Sequence, residues 1–265
     1  MEVMHGGNPD EISAQEKSMK SSAKNHGHHI SKQFNEELED AKNHMLEMGG
    51  IIEKRLNDAI TSIVEIDSSL ASRVIEDDDA IDSMEVMIDD ECNLIIARRQ
   101  PAASDLRMVL GIIKAVRDLE RIGDESSKIA WMAIKLSEEG DFPGGLIELR
   151  RLSERVSKMV NMSLDCFARY DAEAAIEVAR HDATIDSEYG SAMRAMITYM
   201  MEDPRNISRI LNVLWALRAL ERIGDHAKNI CEHVIYVVKG MDARHGKLDE
   251  IAAKLKTGQS DAEQP

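Results

Sequence analysis

Two stretches of the chain carry the same carboxylates at the same spacing: RDLERIGDESSKI at residues 117–129 and RALERIGDHAKNI at residues 218–230. In each, a Glu is followed four positions later by an Asp, giving Glu120 with Asp124 and Glu221 with Asp225. On an α-helix such residues share one face, with Cβ atoms about 6 Å apart. Two shorter stretches repeat the device, Asp78 with Asp82 in DDAID and Asp182 with Asp186 in DATID. Like charges at this spacing repel, the more so when partly buried, so something must offset them. A hard cation held by carboxylate oxygens is one answer. Such a ligand set fits Mg²⁺, Ca²⁺ or Mn²⁺, and is compatible with multinuclear iron.

A solvated ladder of alternating charge is the competing answer. Arg117 precedes Glu120 by three residues and Lys128 follows Asp124 by four; Arg218 precedes Glu221 by three and Lys228 follows Asp225 by three. Exposed pairs of this kind contribute a few tenths of a kcal/mol each. Yet LERIGD is identical in both copies, and Gly123 and Gly224 sit beside each Asp, where glycine weakens a helix. Its use implies a close neighbour, either a ligand or a partner helix. Both readings of the carboxylates stay open at this level.

Other chemistries lack their residues. There is no HExxH, no phosphate-binding glycine loop and no GxSxG elbow. Cys92, Cys166 and Cys231 form no CxxC pair, which argues against a disulfide framework or a thiolate zinc site and suits a reducing cytosol. Cys231 and His233 stand two apart on one helical stretch and point in different directions. The His26, His28 and His29 cluster reads as solvated tail. The net charge of −16 argues against a nucleic-acid partner and against unaided adhesion to anionic lipid. No apolar run reaches membrane-spanning or signal-peptide length, so no membrane insertion is expected.

The elements that must position the carboxylates are helices. Apolar residues make up 43% and aromatics only 3%, which suits helix packing better than a β-sandwich. Residues 1–30 read as a flexible tail, with order beginning near Ser31. From there Phe34, Leu38, Ala41, Met45, Met48, Ile52, Ala59, Ile63 and Ile66 step by four and three, the seam of a bundle helix. Gly49 and Gly50 within it imply close packing or a kink. A second helix follows an Asp67 or Ser cap and stops before Pro101, and a third runs from about 104 to 136. After the break SEEGDFPGG, helices at about 145–169, 172–201 and 205–239 repeat the plan. The fold class is therefore all-α, two tandem three-helix bundles made by internal duplication, over residues 31–140 and 143–240. Residues 241–265 form a C-terminal tail with one short helix.

The duplicated LERIGD, together with HISKQFNEEL, ARRQPAASDLR, MITYMMEDPR and YVVKGMDARH, resembles the PhoU family of bacterial phosphate-uptake regulators over about residues 28–250. The resemblance implies a cytoplasmic, homodimeric, all-helical adaptor without catalytic activity. It implies repression of the phosphate-starvation response, with a sensor histidine kinase and the ATPase subunit of the phosphate ABC transporter as partners. It also implies divalent or iron cations on the acidic motifs. By position the ligands are Glu120, Asp124, Asp78 and Asp82 in one half and Glu221, Asp225, Asp182 and Asp186 in the other. Asn229 matches an extended form of the motif, while Lys128 stands at that position in the first half; the positive Lys128 favours the second site as the stronger one. Two readings from other classes compete. A carboxylate metalloenzyme predicts metal-dependent turnover; a structural scaffold predicts that the motif carboxylates are dispensable.

Overall fold

The computed structural model describes residues 9–76, 79–139, 145–244 and 248–257, and among these there are helices and turns but no strand. Helix α1 spans Pro9–Glu65, α2 Ser68–Glu76, α3 Asp79–Arg99 and α4 Ala103–Glu138. The second half follows with α5 Leu146–Arg169, α6 Ala172–Ala179, α7 Asp182–Glu202 and α8 Ile207–Lys239, α8 being preceded by one 3-10 turn, Pro204–Asn206. A short α9 spans Leu248–Thr257. The first helix thus starts ahead of Ser31. Pro9 suits an opening helical position, and the residues after it are mostly Glu, Gln, Lys, Met, Ala and Ser, with no further proline until Pro101.

The expected seam of α1 is the core. Ala41, Met45, Met48, Ile52, Ala59 and Ile63 are all fully buried. They meet Ile81 and Ile88 of α3 and Ile112, Leu119, Ile122 and Ile129 of α4 in one hydrophobic cluster. The second bundle repeats this with Leu149, Val156 and Val160 of α5, Ile176 and Ile185 of α6 and α7, and Leu217, Leu220 and Ile223 of α8. Turns fall where local chemistry directs them. The Asp67 carboxylate accepts from the backbone N–H of Ser69 and Leu70 at 2.9 and 3.0 Å, which starts α2. Gly145 and Gly240 take left-handed backbone at the start of α5 and the end of α8.

The second helix of the second half is broken, where the periodicity predicts one element. Between α6 and α7 the His181 N–H turns back to Val178 at 3.0 Å, and the Thr184 N–H to His181 at 2.9 Å. These are tight three-residue steps that interrupt the α-helical ladder. As a result Asp182 opens α7, where the helix dipole favours a carboxylate.

The two bundles join through α4 and α8, the most extensive helix contact among the described residues. The pair is antiparallel: Asp118 meets residues 226–233, whereas Glu125, about two turns further on, meets Arg222. This brings the two LERIGD segments alongside each other at the centre of the contact. A second antiparallel contact joins α1 to α5. There Gly49 packs under Leu164, and α1 continues through it as helix. At Gly111 a Cβ would overlap the Val237 side chain across the α4–α8 contact.

Gly111→Leu adds a better helix former, worth about 1 kcal/mol, but must push α4 from α8 at a net cost of roughly 1–3 kcal/mol. Thermal unfolding followed by circular dichroism should show a lower Tm; an unchanged or higher Tm would mean that the contact yields freely.

Candidate functional site

Gly123 and Gly224 have a packing explanation. A Cβ on Gly123 would lie 3.0 Å from Ile52 and 3.5 Å from Ile81; one on Gly224 would lie 3.2 Å from Ile185. Ile81 and Ile185 are the isoleucines of DDAID and DATID, so glycine lets the two acidic stretches of each half approach. The close neighbour is a partner helix, and the carboxylates are drawn together as a consequence.

In the first half this gathers Asp82, Glu85 and Asp89 of α3 with Glu120 and Asp124 of α4. Glu120 is held above the ordinary carboxylate range by burial first, then by Asp124, with Arg121 opposing and Glu85 and Asp82 adding to it. Glu85 is raised by burial, then by Asp89 and Asp82, with Arg117 and Arg121 opposing. Arg121 spans the motif, 3.2 Å from Glu120 and 3.3 Å from Asp124. Asp89 Oδ1 is buried without a hydrogen-bond partner. Asp78 lies outside the described residues. Glu85 and Asp89 were not among the expected ligands, although steps of three and four from Asp82 keep them on the same face of α3.

In the second half Glu221 and Asp225 of α8 face Asp182 and Asp186 of α7. Asp182 is buried, its side chain 8% exposed, while Asp186 and Asp225 lie at the surface. Arg218 reaches Glu221 at 2.6 Å and Lys228 reaches Asp182 at 2.6 Å. Glu221 is raised by burial, then by Asp225, with Arg218 opposing. Asp225 is raised by desolvation, then by Asp182 and Asp186, with Lys228 opposing. Asp182 Oδ1 and Glu221 Oε2 are buried without hydrogen-bond partners.

The lysines fall otherwise than expected. Lys128 points to the buried Glu125 at 2.9 Å, which also takes Arg222 at 2.8 Å. The ammonium that enters an acidic cluster is Lys228, in the second half, so the preference for the second site based on Lys128 has no support in the geometry. Asn229 likewise turns to Asp118, donating at 3.0 Å, so its amide serves the contact between bundles. Among the described residues, no three His, Cys, Asp or Glu side chains already converge as a metal-binding group.

One polar centre escaped the sequence reading. Asp118 of α4 lies between His226 Nδ1 and His233 Nε2 of α8, each at 2.8 Å, with Asn229 as third partner. Burial pushes its carboxyl up, but the bonds from His226, His233 and Asn229 outweigh this and hold it at about 2. The available signal was a difference: Asp118 stands where the second repeat has Ala219, the one change within RxLERIGD.

Comparison with known proteins gives a consistent result. The PhoU domain family matches residues 45–132 and 149–234, one domain per bundle. A Pseudomonas putida protein named phosphate-specific transport system accessory protein PhoU homolog is 57% identical over 89% of this chain and 93% of its own. The Escherichia coli K12 phosphate-specific transport system accessory protein PhoU is 46% identical over 88% of this chain and 96% of its own. Among solved structures, PhoU from Pseudomonas aeruginosa superposes with a TM-score of 0.77 at 58% identity, covering 78% of this chain and all of that one. The regulatory protein PhoU of the Streptococcus pneumoniae phosphate transport system gives 0.73 at 28% identity, covering 79% and 98%.

Asp118 supplies a pH-dependent test of the α4–α8 contact. Its folded pKa, about 2, lies below the ordinary aspartate value of 3.8. Its contribution is therefore fully present above the unfolded pKa and is lost as pH falls through that window. Asp118→Asn should cost about 2 kcal/mol at neutral pH. The gap to the wild-type chain in urea unfolding should close between about pH 4 and pH 2. An equal gap at both ends of the range would show that the carboxylate charge plays no part.

Proposed function

The chain belongs to the PhoU family, and on that premise we propose that it is an accessory protein of a phosphate-specific transport system that keeps the phosphate-starvation response off when phosphate is plentiful. The family is one of non-enzymatic accessory and regulatory proteins. The observation that carries the proposal is full-length similarity: both bundles match, and relatives at 46–57% identity, named as accessory proteins of that system, are covered over more than nine tenths of their length. In this reading the chain works in the cytoplasm as a homodimeric adaptor between a sensor histidine kinase and the ATPase subunit of the phosphate ABC transporter. Among the described residues no helix is long and apolar enough to cross a membrane. Any attachment to a transporter would then run through protein contacts.

The acidic clusters fit a hard cation in their chemistry. Asp89, Asp182 and Glu221 each leave a buried oxygen unpartnered, and burial with like charge raises Glu85, Glu120, Glu221 and Asp225. A divalent or iron cation would be held by Glu120, Asp124 and Asp82, with Asp78 as the fourth ligand expected from the motif, in one half. Glu221, Asp225, Asp182 and Asp186 would hold one in the other. It would neutralise the clusters and brace α3 against α4 and α7 against α8. The charge-ladder reading keeps a specific observation in its favour: Arg121 and Arg218 already reach the motif carboxylates.

Two measurements test these statements. Deleting the gene in its source bacterium should give high alkaline phosphatase activity in phosphate-rich medium, returned to low by the intact gene; low activity in the deletion strain would refute the repressor role. Saturating the purified chain with Mn²⁺ at about 100 times its Kd should stabilise it by about 2.7 kcal/mol for each occupied site, and the effect should vanish when Glu120, Asp124, Glu221 and Asp225 are all changed to Ala. No Mn²⁺-dependent shift in the wild-type chain would leave the ladder as the account of these residues.

A further inference from the structure

Several large apolar side chains are left open where α7 ends and α8 begins; others stand open on α1, α3, α4 and α5, Val86, Trp131 and Ile147 among them. On α8 these are Ile207, Leu211 and Trp215, at four-residue steps along one stripe. On the last turns of α7 they are Ile197 and Met201. The two sets are neighbours, since α7 runs antiparallel to α8: Ile185 meets Gly224, while Met196 and Val213 both border Gly145. Met201 is 79% exposed and Trp215 64%; single exposed apolar residues are ordinary, and it is the grouping of five on two adjoining helix ends that marks this face.

We propose that this face is a self-association surface, on which α8 of a second copy of the chain packs antiparallel across Leu211. The proposal rests on the homodimer reading above and supplies its interface. Three observations select a second copy as the occupant. The first is area. Five large side chains, mostly half exposed or more, present on the order of 600 Å² of apolar surface. A standard interface takes about 800 Å² from each partner, a little over half of it apolar.

The second is charge. Two chains of net charge −16 repel each other over most of their surfaces. From Ile207 to Leu217 the sole charged residue is Arg209, whose guanidinium lies 3.9 Å from Glu139 of its own chain. This is a stretch on which two such chains can meet without opposing like charges.

The third is self-complementarity. About a two-fold axis at Leu211, Ile207 of one copy falls opposite Trp215 of the other, filling beside a large ring with a smaller side chain. Arg218 then falls level with Pro204 of the second copy, close to its Glu202 and Asp203. A two-fold interface needs this matching of a surface with itself. The four-residue ridge is also the one used in the commonest helix packing.

Sedimentation velocity of the full chain across the micromolar range decides the matter. The wild-type chain should sediment as a dimer. Leu211→Asp and Trp215→Asp, both at exposed positions, should each weaken dimerisation at least ~30-fold while keeping the wild-type circular dichroism. Leu94→Asp, at another exposed apolar position on α3, should leave the dimer intact. A wild-type chain that stays monomeric overturns the dimer reading and this interface together, leaving the face to a different protein. A dimer that survives both α8 substitutions, or that Leu94→Asp disrupts equally, leaves the dimer reading standing and overturns the placement.

Discussion

The rest of the molecule depends on how closely α4 and α8 approach. Helices can pack this tightly only where side chains are small or interlock, and here the small positions are specific. Gly111 admits Val237 across the contact, while Gly123 and Gly224 admit the isoleucines of the acidic helices on the outer flanks. Each of α4 and α8 therefore serves two neighbours at once, its own bundle and the other one. Dispersion attraction forfeited across even a small gap is not regained elsewhere, so the spacing of these helices fixes that of everything attached to them.

Close approach has an electrostatic cost. Drawing α3 against α4, and α7 against α8, places carboxylates side by side, Asp182 buried, Glu85, Glu120 and Glu221 partly so, and Asp82, Asp186 and Asp225 at the surface. The chain answers locally with Arg121, Arg218 and Lys228, each within hydrogen-bonding reach of a motif carboxylate. The answer is incomplete, because several carboxylates remain raised and some buried oxygens remain unpartnered. Glycine and carboxylate thus belong to one device: the first makes the contact, and the second is what the contact brings together.

Much of this was legible in the sequence. The three-four stepping of α1 named six positions that are fully buried, because a helix seam is a local property written in consecutive positions; Phe34 and Leu38 are only partly buried, and Ile66 lies past the helix end with left-handed backbone. The duplication gave the number of bundles, and Asp67 and Pro101 marked real element ends. The break at residues 180–181 was not legible, since neither proline nor glycine marks it and both residues keep right-handed helical backbone. The role of Lys128 was misjudged for a related reason: a helix position says which side a lysine leaves from, not which carboxylate it reaches. The cluster around Asp118 needed a fact no single helix contains, the antiparallel register that sets residue 118 against residues 226–233.

That cluster also gives the molecule a direction. Two repeats of one domain family joined by an antiparallel pair of helices approximate a two-fold object, which looks similar to a visitor from either end. Asp118 faces His226, Asn229 and His233 at one end of the contact, while at the other end Glu125 faces Arg222. Duplication alone would have made the two ends equivalent. Aspartate against alanine at 118 and 219, with Glu125, Lys128 and Met132 where the other repeat has His226, Asn229 and His233, makes them distinguishable, so that one chain can offer a head to one neighbour and a tail to another.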